Sequence, residues 1–213
     1  MSWKNKITTY KGVIPKIDPL SLIDLGLAIG RINKLSKEIP LDKPWEHPKA
    51  ALYDSMTLKT WMNQNMHTKK AKHLFQIGVE TVFAEEASSL SLLHTLFYAR
   101  SGDNMNSLIS IPNGAQQTLL KGGTQGLLQK IAHPFHNKIY LNSPVRIIRQ
   151  NEKGVEIESD NLLVLARKCI CTIPPALIGS IRFEPVLPQK RAQLIQRMPM
   201  GAAMKCFVVY KTP

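Results

Sequence analysis

The segment KGGTQGLLQKIA, residues 121–132, holds the first residue types in this chain that could do chemistry. Adjacent Gly122 and Gly123, with Gly126 three positions on, open an apolar run. A glycine turn feeding a helix can cradle a phosphate on free backbone N–H groups. A dinucleotide fingerprint needs more: G-x-G-x-x-G between a strand and a helix, and an acidic residue about 20 positions later. Lys121 stands where the first glycine belongs, and the later position falls near Asn142, where no Asp or Glu occurs. The preceding AQQTLL is a weak strand. The segment therefore reads as a tight turn feeding a helix that packs against a sheet.

Other chemistry-bearing residues are weighed the same way. His133 and His136 are three apart in HPFH, but Pro134 interrupts the helix that would align them. No cysteine or carboxylate pair completes a metal set, so no metal is expected. Cys169 and Cys171 alternate on one side of an extended run and read as buried thiols rather than a redox pair. Glu85 and Glu86 read as a capping or solvated pair, and no serine sits in a nucleophile elbow. Lys205 lies inside the apolar run MKCFVVY. A lysine there is costly unless partnered, and Met204, Cys206 and Phe207 are not partners. Strand alternation that turns Lys205 to solvent is the plain alternative.

The balance of 28 basic and 15 acidic residues gives a net charge of +13 over 213 residues. Such an excess hints at polyanion binding. Its distribution argues otherwise: residues 1–73 hold 13 Lys and Arg against 6 Asp and Glu, and the remainder 15 against 9. With no long basic block, no nucleic-acid partner is expected. No run of about 18 apolar residues suggests a membrane span. The N-terminal MSWKNKITTYKG does not read as a secretory signal. Three cysteines make no disulfide framework, which fits a reduced compartment and a cytoplasmic location. The length allows one large domain or two small ones.

The elements that must position these residues fall into three parts. Residues 1–118 read as mostly helical. Leu22, Leu25, Ile29, Ile32 and Leu35 recur at helical spacing, with Ser21 as a candidate N-cap and Pro40 beyond the end. PLDKPWEHP is a proline-punctuated link. A second helix starts after Thr57. A third has Leu74, Ile77, Val79 and Val82 as its buried face, and a fourth is closed by Gly102. Residues 119–178 change period. After the helix at Gly123, KIYLNSPVRIIRQ, VEIE and LLVLA read as an antiparallel meander, leading to a buried strand in KCICTIPP that the proline pair ends. Residues 179–213 give a helix near 188–197 and a strand from Met204 to Tyr210. That strand stops so near the end of the chain that a truncation is expected.

Three of these runs carry a resemblance: GGTQGLLQKIA, IYLNSPVRIIRQ and CICTIPPALIGSIRFEPVLPQKRAQLIQRMPMGAAMKCFVVY. They resemble, in order and spacing, the middle of the flavin-dependent amine oxidases, with the monoamine oxidase group the most similar. INKLSKEIPLDKPW, ETVFAEEASSLSLLHTLFYARSG and LISIPNGAQQTLLKGG follow the same family order upstream.

The resemblance implies a fold of α/β plus α+β class, truncated at both ends. One part is a partial FAD-binding domain, Rossmann-type and glutathione-reductase-like, at 119–178. The other is a helix-rich substrate domain, at 1–118 and 179–213. It implies oxidation of a small-molecule amine to an imine, with oxygen reduced to hydrogen peroxide. Lys205 matches the family lysine that holds a water near flavin N5. Val145 matches a backbone contact to the adenine end of FAD, and Ile173 and Pro174 match the turn that approaches the flavin. Leu108, Ile109 and Gln116 match positions lining the substrate cavity; an amide and two aliphatics suit a mostly apolar cavity. The family's N-terminal glycine fingerprint and its C-terminal aromatic cage are absent from this sequence. An internal fragment is therefore expected, with weak or absent FAD binding and no activity alone. A flavin-free interaction protein is the alternative. The amine and the oligomeric state are left open.

Overall fold

The computed structural model describes residues 2–3, 6–10 and 16–211. It is a mixed α/β structure that divides into two compact units, Met1–Leu119 with Ala202–Pro213, and Leu120–Gly201.

In the first unit, β1 (Ser2–Trp3) and β2 (Lys6–Ile7) pair antiparallel. Six helices follow: α1 (Pro19–Ser36), α2 (Ala50–Asp54), α3 (Leu58–Asn65), α4 (Lys69–Phe83), α5 (Leu92–Ser101) and α6 (Met105–Ile109). Five of them start on one device. Asp18, Thr57, Thr68, Ser91 and Asn104 each take an extended conformation and accept the N–H three residues on. Thr57 and the Gly102 stop behave as the sequence predicts. The start of α1 does not. Asp18 caps it by accepting from Ser21 N–H, with Pro19 preset for the first turn, while Ser21 itself is buried.

The buried stripes are narrower than the apolar spacing predicts. On α1 the stripe runs Ser21, Asp24, Ala28, Ile32 and Ser36, with Leu25, Ile29 and Leu35 flanking it. On α4 it is Ala71, Phe75 and Val79; Leu74 and Val82 are half-buried and Ile77 is exposed. Small residues at the centre of a face let helices approach closely, so the larger ones are pushed to its edges. Ile32, Leu58, Met62, Met66, Leu92 and Leu96 close the core with essentially no exposure.

In the second unit, α7 (Gly123–Ala132) leads into a 3₁₀ turn, His133–Lys138. Then come β3 (Val145–Asn151), β4 (Gly154–Ser159), β5 (Leu163–Ala166), β6 (Arg182–Glu184) and α8 (Gln189–Gln196). The sheet order is β5-β4-β3-β6, antiparallel across the meander and parallel between β3 and β6. Its core is small: Ile148, Val155 and Ile181, backed by Val145, Ile157 and Phe183.

Four expectations are corrected here. KCICTIPP forms no strand, and Cys169 and Cys171 are exposed rather than buried. Met204–Tyr210 likewise forms no strand and is exposed. A strand exists only where a ladder partner does, and the described residues supply none for either run. Helix α7 buries no residue; Leu127, Leu128 and Ile131 stay exposed instead of packing on the sheet.

Candidate functional site

Helix α4 is the scaffold for the site residues of the first unit. Ala84 ends it in a left-handed conformation, φ 53°, and its carbonyl accepts Ala202 N–H at 2.8 Å. This bond anchors the segment that carries Lys205. Six residues earlier, about 9 Å along the helix axis, Gly78 faces Ile109. A Cβ on Gly78 would lie 3.7 Å from Ile109 Cγ2, an ordinary contact, so the approach of α6 does not depend on glycine there. Leu108 is half-buried against the helical core, Ile109 is partly exposed and Gln116 is exposed. Ala115 N–H donates to the Ser107 carbonyl at 2.9 Å, folding the turn that holds Gln116 back onto α6. The structure thus brings Leu108, Ile109 and Gln116 to one corner. Gly114 is essential to that turn, because a Cβ there would collide with the Ser110 carbonyl oxygen.

Lys205 is exposed in the extended segment after Ala202 and has no polar partner among the described residues. The burial cost foreseen for it does not arise, because water solvates the ammonium. Sequence reasoning missed an aromatic group beside the α4 terminus. Phe83 lies 5.0 Å from Tyr98 and 5.9 Å from His94, ring centre to ring centre. The i,i+4 spacing of His94 and Tyr98 on α5 was the available signal.

Sequence reasoning also missed Asp24. This buried carboxylate on α1 accepts His67 N–H at 2.9 Å and Thr68 N–H at 2.7 Å, fixing the entry to α4. Burial alone would raise its pKa; the two backbone donors outweigh that and hold it below the ordinary value.

In the second unit, Val145 opens β3, half-buried and paired with Ser159. A bulge follows, and Arg146 there forms a two-point pair with Asp160 at 2.7 and 2.9 Å. Register places Arg149 opposite Glu156 on β4 and Glu184 on β6. Its guanidinium bonds Glu156 at 2.6 Å, Glu158 at 2.7 Å and Glu184 at 2.9 Å. Arg182, then burial working against it, then Arg149 determine the Glu184 carboxyl, whose pKa is lowered overall. Ile173 and Pro174 lie in the exposed run before a 3₁₀ turn, Pro175–Ser180. His136 Nδ1 is 2.9 Å from the His133 carbonyl oxygen, a local turn contact.

These positions do not by themselves fit a flavin. Gly122 and Gly123 have φ of +83° and +74°, yet a Cβ on either would meet nothing within 4 Å. Among the described residues, nothing packs against these two glycines in the way a phosphate cradle would require. None of Val145, Ile173 and Pro174 lines the concavity between β3, β6 and the start of α8.

The model of the flavin-containing amine oxidoreductases matches residues 10–213. The chain belongs to this family. Flavin-containing amine oxidase A of Bos taurus is 33% identical over 210 residues, which are 98% of this chain and 40% of that protein. Flavin-containing amine oxidase B of Sus scrofa is 32% identical over 99% of this chain and 41% of its own length. Among solved structures, putrescine oxidase bound to putrescine superposes with a TM-score of 0.79 at 25% identity, over 89% of this chain and 42% of that one. Cyclohexylamine oxidase from Brevibacterium oxydans gives 0.77 at 29% identity, over 86% and 41%. The chain thus spans less than half the length of these relatives. Full-length members of the family use FAD.

Proposed function

We propose that these 213 residues form the central part of an FAD-dependent amine oxidase and are inactive alone. In this reading residues 119–178 belong to a Rossmann-type FAD-binding domain, and 1–118 with 179–213 belong to the substrate domain. The complete protein would oxidise the carbon bearing an amine nitrogen to an imine, which water hydrolyses, while oxygen is reduced to hydrogen peroxide. Leu108, Ile109 and Gln116 would line the amine cavity. Lys205 would hold a water beside the flavin, and Val145, Ile173 and Pro174 would border the cofactor.

One observation carries the reading: the family match runs over residues 10–213, through every one of these positions, while the chain spans less than half the length of the relatives it matches. The test is to gel-filter the purified chain after incubation with FAD, then assay peroxide with a panel of amines. The expected result is no retained flavin and no peroxide, with both restored when flanking family sequence is joined to the chain. Stoichiometric FAD on the 213 residues alone would overturn the incompleteness. In the restored protein, Lys205→Met should slow flavin reoxidation by about 10²-fold or more, the scale of a lost proton-transfer group. An unchanged rate would remove Lys205 from the chemistry. The second reading, a flavin-free interaction protein, is favoured by β5, an edge strand on which Leu163, Val164 and Leu165 are all exposed.

A further inference from the structure

A concavity of about 580 Å³ lies within the second unit, between the C-terminal end of β3, the run after β5 and the start of α8. Its wall includes Ile148, Phe183, Val186 and Leu187, and three cations stand around it: Arg167, Lys168 and Arg191. The volume is that of a small-molecule site, about 300–1,000 Å³.

Charge in this unit is divided unevenly. Arg146, Arg149 and Arg182 each hold carboxylates of Asp160, Glu156, Glu158 and Glu184. Arg167, Lys168 and Arg191 hold none, and no polar partner is found for them among the described residues. The one carboxylate on the cavity wall, Glu184, is already engaged by Arg149 and Arg182. The same wall receives the N-terminus of α8. Pro188 cannot cap it with a side chain, and the first backbone bond is Ala192 N–H to the Pro188 carbonyl at 3.0 Å. The N–H groups of Gln189, Lys190 and Arg191 are left open.

We propose that this concavity binds an organic phosphate, a dianionic head on an apolar or aromatic body. Arg167, Lys168 and Arg191, with the open N–H groups, take the phosphate oxygens. Phe183, Val186 and Leu187 take the body. The site is distinct in its lining from the positions matched to the cofactor: none of Val145, Ile173 and Pro174 lines it, although Ile148 on its wall is three residues from Val145 and Cys171 is two from Ile173.

The probe is 1-naphthyl phosphate, titrated by fluorescence and calorimetry, with 1-naphthol and inorganic phosphate as arms lacking the head or the body. One molecule of naphthyl phosphate should bind per chain, and each arm more weakly. The variant R167Q/K168Q/R191Q should weaken binding by about tenfold or more, the scale of lost charge-assisted contacts. Because the chain carries +13, a control of equal charge change, K34Q/K37Q/K49Q, should leave it within about twofold, since none of those lysines lines the concavity. Phe183→Ala should weaken naphthyl phosphate and leave inorganic phosphate unchanged. Equal weakening by both triple variants would show general attraction and overturn the site, as would the absence of binding. Neither result depends on whether the chain takes up flavin, which is read separately by absorbance.

Discussion

Asp24 is a residue whose role lies in what it accepts. Replacing it with alanine leaves the N–H groups of His67 and Thr68 unpaired at a buried position, a cost of about 1–3 kcal/mol. Asp24→Ala should lower the unfolding midpoint in urea, and Asp24→Asn, which keeps one acceptor, should recover part of it. A variant as stable as the parent would show that water replaces the carboxylate. Arg149 acts in the opposite sense, as a cation that three carboxylates converge on. Arg149→Met leaves Glu156, Glu158 and Glu184 crowded. It should destabilise the sheet at low salt and less so at about 1 M, where the Debye length falls to about 3 Å. Neither residue was singled out in the sequence. Their partners come from segments 35 or more residues away, for Glu184 and the α4 entry, which local spacing does not reveal.

At the scale of elements, the sequence was most legible where a local rule suffices. Thr57 bounds its helix because a side-chain oxygen acts within three residues, and Gly102 ends α5 because its missing Cβ leaves room for Leu108, six residues on. The meander was legible because turns at NEKG and SDN separate alternating runs. KCICTIPP and MKCFVVY were misread because β-prone composition says nothing about whether a ladder partner is present. The α1 cap carries a pH prediction. Lys70 first, then Ser21 N–H, holds the Asp18 carboxyl down to about 2 from an ordinary 3.8. A group with a depressed folded pKa stabilises above its unfolded value, and that contribution fades as pH falls toward the folded one. The gap in urea midpoint between the parent and Asp18→Ala should therefore be constant above about pH 5 and shrink between about pH 4 and 2. A gap that persists undiminished at the acid end would mean that the carboxylate charge is not what stabilises the cap.

At the scale of the whole molecule, the two units are unequally built. The first buries a core cluster running from Ala28 to Met105, whereas the second buries a cluster of Ile148, Val155 and Ile181, with Ile178 buried in its 3₁₀ turn. Hydrophobic stabilisation scales with apolar area removed from water, so the second unit should open first as denaturant rises. The tryptophans make this measurable, since Trp3, Trp45 and Trp61 all lie in the first unit. Their fluorescence reports that unit alone, while far-ultraviolet dichroism reports both. Dichroism should begin to fall at lower urea than fluorescence. Two variants assign the phases. Leu96→Ala empties a fully buried site in the helical core, costing about 2–5 kcal/mol, and should move the fluorescence transition down. Arg149→Met should move only the early dichroism change. Coincident transitions in the parent, or a shift of both phases by either variant, would mean that the two units unfold as one cooperative body.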